Sequence, residues 1–189
     1  VPTDCLAARL AAELPSATHL TLAFKMTESL SPGTSKTILQ HMPAGGRVRI
    51  DGRIVRVPMA WKIREIPFGD GTQWGMTIPW GDVSSAFYST GIPNIEVYAA
   101  TPTRQIRSLR RWRGLLPMTK FAPIRWLGRQ WIKRYITGPS DSERANGYAE
   151  FWGRVIDNQG RIAEATLVTP EGYSLTAQTA LEIMRRTLA

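Results

Sequence analysis

Residues 77–98 read TIPWGDVSSAFYSTGIPNIEVY, and this stretch best indicates how the chain folds. Asp82 is a residue type that favours the start of a helix, and Gly91 is one that favours its end. These two residues bracket a predicted helix of about seven residues. Residues 94–100, NIEVYAA, then read as a strand, and another strand ends just before Trp80. The stretch therefore predicts a strand, a short helix and a second strand in succession.

Three hairpins are predicted outward from this stretch. The clearest contains Asp51-Gly52, a dipeptide typical of a type I′ turn, and the arginines on its strands are expected to face water. The predicted strand pairs are 47–50 with 53–57, 61–67 with 72–78, and 147–156 with 161–169.

Helices and one further strand lie irregularly between the hairpins. Helices are predicted at 3–14, 32–42 and 174–188, a strand at 18–26, and a polar loop at 137–146. Because hairpins dominate, the predicted fold class is α+β. We expect a mostly antiparallel, mixed sheet of about six to eight strands with helices packed on one face.

Composition limits the classes of protein to which the chain can belong. Its 189 residues fit one domain that can bury a core without disulfides. No apolar run reaches the roughly 18 residues that a membrane-spanning helix needs. A lone cysteine, Cys5, allows no internal disulfide, and no metal-ligand spacing is recognisable, so no metal is expected. A reducing, cytoplasmic environment is therefore predicted.

The positive charge of the chain is concentrated in one part of the sequence. There are 24 basic and 15 acidic residues in total, yet no acidic residue lies between Glu96 and Asp141. We call residues 104–134 the basic segment. Its ten basic residues are Arg104, Arg107, Arg110, Arg111, Arg113, Lys120, Arg125, Arg129, Lys133 and Arg134. The remainder holds 14 basic against 15 acidic residues, so it is close to neutral.

The basic segment also carries tryptophans, and a helix in it is predicted to be amphipathic. Ile124, Leu127, Trp131 and Tyr135 share one helical face, whereas arginines and Lys133 share another. Four interpretations are open: helices packed on the sheet with a solvated basic face, docking on an anionic membrane surface, binding of an acidic carrier protein or of cofactor phosphates, and nucleic-acid binding.

Nucleic acid is the least favoured of these four interpretations, because no binding motif accompanies the charge. The residues expected to contact a membrane or an acidic partner are Arg110, Arg111, Arg113, Arg129 and Lys133. Peripheral membrane attachment is thus the alternative to a purely cytoplasmic location.

Four segments together resemble a known family. They are VPTDCLAA at 1–8, LSPGTSKTILQ at 30–40, the stretch at 77–98, and FWGRVIDNQGRIAEATLVTPEGYSLTAQTALEIM at 151–184. These segments are similar to the substrate-side domain of saccharopine dehydrogenase-like oxidoreductases, which include trans-acting enoyl reductases. The resemblance implies hydride transfer from NAD(P)H to a C=C or C=N bond in the full-length protein.

The resemblance also implies how the chain is organised. Residues 1–15 would be a helix left from the end of a nucleotide-binding Rossmann domain. Residues 16–189 would be the substrate-binding and dimerisation domain. The implied partners are therefore the missing Rossmann domain and a second copy of the chain.

The implied site lies around residues 80–94. Tyr88 could donate a proton to a developing enolate or amine, and Asp82 could cap a helix whose N–H groups hold a substrate oxygen. Trp80 could stack on nicotinamide or substrate. The other expected substrate contacts are Gly81, Thr90 and Lys25. Simpler roles stay open for them: Asp82 as a cap only, Trp80 in the core, Tyr88 partly buried and Lys25 in solvent.

A dinucleotide site is not recognisable in this sequence. The nearest string runs from Gly69 through Gly71 to Gly75, but its spacing is wrong and strand residues follow it, whereas the fingerprint opens a helix. The chain alone is therefore expected to bind no NAD(P) and to be inactive. The competing prediction is a non-catalytic module that binds a membrane, a lipid or a carrier through helices at 104–134.

Overall fold

A computed structural model describes residues 2–188. The strands are β1 Ala17–Met26, β2 Gly46–Ile50, β3 Arg53–Val57, β4 Ile63–Phe68, β5 Gly71–Thr77, β6 Asn94–Ala100, β7 Tyr148–Asp157 and β8 Ile162–Pro170. The α-helices are α1 Pro2–Glu13, α2 Pro32–His41, α3 Asp82–Thr90, α4 Thr103–Trp112, α5 Ala122–Tyr135, α6 Asp141–Asn146 and α7 Gly172–Leu188. Two 3-10 helices lie at Met42–Ala44 and Arg113–Lys120.

The eight strands form one mixed sheet, which confirms the predicted α+β class. The strand order is β3-β2-β6-β1-β7-β8, and the β4–β5 hairpin joins through β5 to β6. The central pair β1–β6 is parallel, and the other described pairs are antiparallel. One side of β6 pairs with two different strands. Ile95 pairs with Arg49 of β2, whereas residues 98–100 pair with β5.

One face of the sheet is apolar and is covered by α1 and α3. Alternate residues of the central strands point to this face, as the period of a strand requires. The fully buried strand residues of this core include Leu20, Leu22, Ile95, Val97 and Val155. The helix α1 lies close because β7 has a glycine beneath it. A Cβ at Gly153 would lie 2.6 Å from Leu10 Cδ1.

The opposite face mixes charge with aromatic rings. Ala23, Tyr98 and Trp152 lie there, and Ile66 and Phe68 of β4 pack against them. Pairing with β5, which itself joins β6 only near its end, holds β4 in this position. The two faces therefore differ in chemistry, and polar groups on this second face need partners from other strands.

The first hairpin has the predicted turn but not the predicted exposure. Asp51 and Gly52 both have positive φ, 47° and 76°, as a type I′ turn requires. The expectation that the arginines of this hairpin face water is wrong for Arg49, which is buried. It donates to the Val83 carbonyl at 2.9 Å, and its guanidinium lies 4.1 Å from the centre of the Phe87 ring. Packing of α3 beside β2 creates this environment.

The polar loop predicted at 137–146 contains a short helix instead. Ser140 accepts from the Glu143 amide, and the Glu143 side chain accepts from the Ser140 amide at 2.8 Å. This reciprocal pair is a capping box, and its Ser-x-x-Glu signature is visible in the sequence. The polar composition of the segment concealed the signal.

Candidate functional site

A cleft opens at the ends of β1 and β6, on the charged side of the sheet. Because β1 and β6 are parallel, their carboxyl ends meet at one edge. The turn between β4 and β5 forms another wall. The cleft encloses about 490 Å³. Its lining residues are Lys25, Met26, Thr27, Asp70, Gln73, Trp74, Ala100, Thr101, Pro102 and Thr103. We call it the Lys25 cleft.

Lys25 is the buried charge of this cleft. Only 6% of the residue is exposed, and Nζ lies 2.5 Å from Asp70 Oδ1 and 2.9 Å from Glu150 Oε2. The Phe68 and Tyr148 rings lie 5.1 and 5.7 Å from the same ammonium. Glu150 also accepts from the Gly69 amide. The alternative of a solvated Lys25 is therefore wrong, because β4 and β7 bring an aromatic and acidic enclosure around it.

The two carboxylates keep Lys25 charged. Burial alone would favour the neutral amine, but hydrogen bonds to Asp70 and Glu150 outweigh it and raise the pKa of Lys25. The hydrogen bond from Lys25 in turn lowers the pKa of Asp70. A lysine held as an ammonium is neither a nucleophile nor a base. The cluster therefore contributes electrostatics and rigidity, with half-exposed Asp70 as its acidic group towards the cleft.

The residues of the cleft besides Lys25 were not found by sequence reasoning. Asp70 lies between the predicted strands 61–67 and 72–78, and the sequence singles out neither it nor Gln73, Trp74 and Thr101 as site residues. One signal was present, because Asp70 lies in a Gly-Asp-Gly turn that ends a strand pair. However, the pairing of β5 with the end of β6 decides that this turn lies above β1.

Asp82 is buried and forms the first residue of α3 rather than its cap. The cap position is Gly81, which makes no side-chain capping bond. Burial raises the pKa of Asp82, and nearby Asp4 adds to the effect, while a hydrogen bond with the Thr3 side chain opposes both. Asp82 thus faces the start of α1, which covers it.

Trp80 and Tyr88 lie on the same side of the sheet as α3, with different degrees of contact. Trp80 is half-exposed, and its ring centre lies 4.9 Å from that of Phe24. Tyr88 is 84% exposed and packs only edge-on against Phe87. Thr90 Oγ1 donates to the Ala86 carbonyl and accepts from the Ile92 amide, so it serves the end of the helix.

The predicted site residues therefore fall into two groups. Trp80 packs on Phe24, which belongs to the core beneath α1 and α3. Lys25 follows Phe24 in β1, and successive strand residues point to opposite faces. The structure thus brings Trp80, Gly81, Asp82, Tyr88 and Thr90 together on one helix and its approach, and places Lys25 across the sheet from them.

The Gly69–Gly75 string does not form the turn of a dinucleotide fingerprint. Gly69 and Asp70 form the β4–β5 turn, and β5 begins at Gly71, so no helix N-terminus follows these glycines. Nor does any group of three or more His, Cys, Asp or Glu in residues 2–188 have the arrangement of a metal site. In the same range, no helix is long and apolar enough to cross a bilayer.

The basic segment forms α4, the second 3-10 helix and α5. In α5 the buried side chain is Ile132, and Gly128 approaches Leu39 of α2. The apolar face predicted from the sequence is not the packed one. We call Ile124, Leu127, Trp131 and Tyr135 the exposed stripe, because they are 37%, 61%, 58% and 68% exposed. Of the four interpretations of the basic segment, the one in which this face packs on the sheet is wrong.

A second, apolar cleft of about 290 Å³ lies between α2 and α5. Its lining residues are Leu30, Ser35, Ile38, Leu39, Met42, Gly128, Trp131, Ile132 and Ile136. Trp131 belongs both to this cleft and to the exposed stripe. The apolar surface of α5 therefore continues into the groove beside it.

Comparison with solved structures finds loose likenesses, one of which is to a saccharopine dehydrogenase. The chain aligns with apo histidine-tagged saccharopine dehydrogenase (L-Glu forming) from Saccharomyces cerevisiae at a TM-score of 0.47 and 8% identity. The alignment covers 88% of this chain and 57% of that one, so the chain spans little more than half the length of that enzyme. No protein-family model and no curated protein sequence matches the chain.

Proposed function

We propose that the chain is the substrate-side domain of an NAD(P)-dependent oxidoreductase, and that the Lys25 cleft is its substrate-binding wall. The observation that carries this proposal is the cleft itself, a concave site of about 490 Å³ built around a buried lysine. Large clefts with a few convergent polar groups and shifted pKa values are the common form of ligand sites. The resemblance of residues 77–98 and 151–184 to the oxidoreductase family supplies the reaction class.

In this proposal another domain holds the cofactor, because the nearest Gly-rich string, residues 69–75, forms a hairpin rather than the start of a helix. NAD(P)H would supply the hydride there. The residues of this chain bind and orient the substrate. Asp70 and Gln73 offer a carboxylate and an amide at the cleft mouth, and Trp74 offers an aromatic face. Lys25 fixes Asp70 in place through their ion pair.

Substrate binding in the cleft is tested with two tryptophans of equal exposure. Trp74 lines the cleft and Trp80 lies near α3, and each is 42% exposed. In a polypeptide that joins this chain to its nucleotide-binding domain, Trp74→Ala should raise KM by about tenfold, which equals about 1.4 kcal/mol of lost binding. Trp80→Ala is the matched control. A larger effect of Trp80→Ala would move the site to the α3 side.

Tyr88 lies across the sheet from the Lys25 cleft with its hydroxyl exposed, so its proposed role as proton donor belongs to the alternative in which substrate binds on the α3 side. In that alternative Tyr88→Phe should lower kcat by about 10²-fold in steady-state NADPH oxidation, whereas a substrate held in the Lys25 cleft predicts unchanged kcat. Tyr135→Phe removes a hydroxyl from another exposed tyrosine and should leave kcat unchanged. Asp82→Asn should also leave turnover intact, because α1 covers that carboxylate. Equal kcat in the Tyr88 variant would remove Tyr88 from the mechanism.

The cofactor assignment has its own measurement. Calorimetric titration of the 189-residue chain with NADPH should show no binding at micromolar concentrations. Micromolar affinity would mean that the chain holds the cofactor itself, and this would contradict the proposal that another domain binds it.

A second copy of the chain is the proposed partner of the sheet. β8 is an edge strand, and its Ile162 and Val168 side chains are exposed. Unpaired edges with apolar side chains favour pairing with another strand. Light scattering at high concentration should give the mass of a dimer, and Val168→Lys should shift it towards the monomer. A monomeric mass for the unaltered chain would contradict this proposal.

A further inference from the structure

The basic segment combines cations that lack carboxylate partners with apolar side chains that are exposed to solvent. Its ten basic side chains form no ion pair with a carboxylate within residues 2–188, although other basic residues of the chain do. Its apolar side chains are exposed along a helix rather than scattered. Exposed apolar residues in a contiguous row mark an interaction site more often than single ones do.

The exposed stripe follows the helical period along the whole of α5. Its four residues are spaced by three or four positions, so they form one row. Ile132 and Gly128, on the neighbouring face, already make the contact with α2. The helix is thus fixed to the domain by one face while a second apolar face points outward. The apolar α2–α5 cleft extends that face beyond Trp131.

The basic segment also carries exposed tryptophans and cations. Trp112 and Trp126 are 54% and 59% exposed. On α5, Arg134 lies about two turns after Leu127 and so borders the stripe, whereas Arg129 and Lys133 lie on another face. Tryptophan favours the boundary between headgroups and acyl chains, because its ring is apolar and its N–H is polar. Basic side chains are attracted to anionic headgroups. An amphipathic helix with both features lies in the plane of a bilayer surface.

We propose that α4 and α5 dock this domain on an anionic lipid bilayer, with the exposed stripe inserted between headgroups and the ten basic residues on the lipid phosphates. This proposal is independent of the oxidoreductase assignment. An acidic protein would match the charge but would leave the stripe without an apolar counterpart. Nucleic acid would do the same.

The charge part of the proposal is tested by co-sedimentation of the 189-residue chain with vesicles. Vesicles of phosphatidylcholine with one third phosphatidylserine should bind the chain at low salt, and pure phosphatidylcholine vesicles should bind it far more weakly. Arg110→Gln with Arg111→Gln should weaken binding by about tenfold or more, since each cation contributes separately. Arg185→Gln with Arg186→Gln removes the same charge from α7, where both arginines pair with Glu182, and should change binding less than twofold.

The insertion part of the proposal needs a different readout and an apolar control. Tryptophan emission should shift to the blue on vesicle binding and stay shifted as salt rises, because salt screens charge but not apolar contact. Leu127→Ala with Trp131→Ala should lower vesicle affinity by about tenfold. Leu181→Ala with Met184→Ala, at similarly exposed positions of α7, should not. Circular dichroism should show unchanged folding for all four double variants.

Several outcomes would overturn the proposal. These are no binding to anionic vesicles at low salt, equal losses from the α7 variants, and binding without a blue shift. Tighter binding to polyglutamate or to RNA than to vesicles would assign the surface to an acidic protein or a nucleic acid instead.

Discussion

Apolar and cationic side chains are buried and paired in one region of this molecule, but exposed and unpaired in another part of the described residues. In the sheet and α1, leucines are enclosed and the buried ammonium of Lys25 meets two carboxylates. In the basic segment, the exposed stripe is uncovered and ten cations lack carboxylate partners within residues 2–188. Amphipathicity therefore predicts that a helical face needs an apolar counterpart, but not whether the same chain supplies it.

The buried ion pair should give the largest difference between the two regions. Lys25→Met leaves Glu150 buried without its cation and should cost about 4 kcal/mol of unfolding free energy. Lys133→Met removes an exposed cation of α5 and should cost less than about 0.5 kcal/mol. Urea unfolding followed by circular dichroism measures both values. Similar costs for the two variants would mean that Lys25 is not held as the structure shows.

Leucine truncation compares the apolar faces of α1 and α5. Leu10 is fully buried, so Leu10→Ala should cost about 3 kcal/mol through lost burial and the cavity that remains. Leu127→Ala should cost about 0.5 kcal/mol or less in water, because its side chain is mostly exposed. The same urea experiment applies. A large cost for Leu127→Ala would show that α5 packs against something in solution, such as a second copy.

Two glycines test how closely side chains pack in the two regions. At Gly153 a new Cβ would meet Leu10 Cδ1 at 2.6 Å and Leu6 Cδ2 at 3.1 Å, so Gly153→Ala should cost about 2 kcal/mol. At Gly128 it would meet the Leu39 side-chain end at 2.8 Å, while alanine favours the helix by up to about 1 kcal/mol. The net change for Gly128→Ala should be near zero. Thermal unfolding of both variants decides this.

A further comparison concerns pH. Burial opposes the charge of Asp157, but hydrogen bonds from Arg161, Ser16 and the Gln159 amide outweigh it and lower its pKa to about 2. A lowered carboxyl pKa stabilises the fold above the unfolded value near 4. That stabilisation is lost as pH falls from about 4 to about 2. Asp157→Asn should flatten this part of the stability–pH curve.

Asp82 should behave with the opposite sign, because its pKa is raised in the fold. The folded state then binds the proton more tightly, so Asp82 lowers stability as pH rises above the unfolded value near 4. Asp82→Asn should therefore gain stability relative to the unaltered chain as pH rises through that window. Parallel curves for Asp82→Asn and Asp157→Asn would contradict the two environments described here.

Local patterns predicted the elements well where they depended on short-range chemistry. The turn at Asp51-Gly52, the strand at 94–100 and the helix ending at Gly91 all agree with the structure. Each depends on residues within a few positions of one another. The Ser140–Glu143 capping box shows that a further local signal was present and was missed.

The site residues depended on contacts that no local pattern contains. Lys25 is buried because Asp70 and Glu150, distant in sequence, meet it across three strands. Asp82 is buried because α1 lies on α3. Trp74 enters the cleft because β5 pairs with the end of β6. The sequence of residues 77–98 predicted none of these environments.

The sequence by itself determined the alternation of strands and helices, the α+β class and the concentration of charge in residues 104–134. Periodicity, turn chemistry and composition are local properties, and they act before the chain folds. The tertiary structure alone decided which strands are neighbours, that β1 and β6 are parallel, and that α5 buries Ile132 while its predicted apolar face stays exposed. These outcomes depend on long-range packing, in which many weak contacts compete for the same surface.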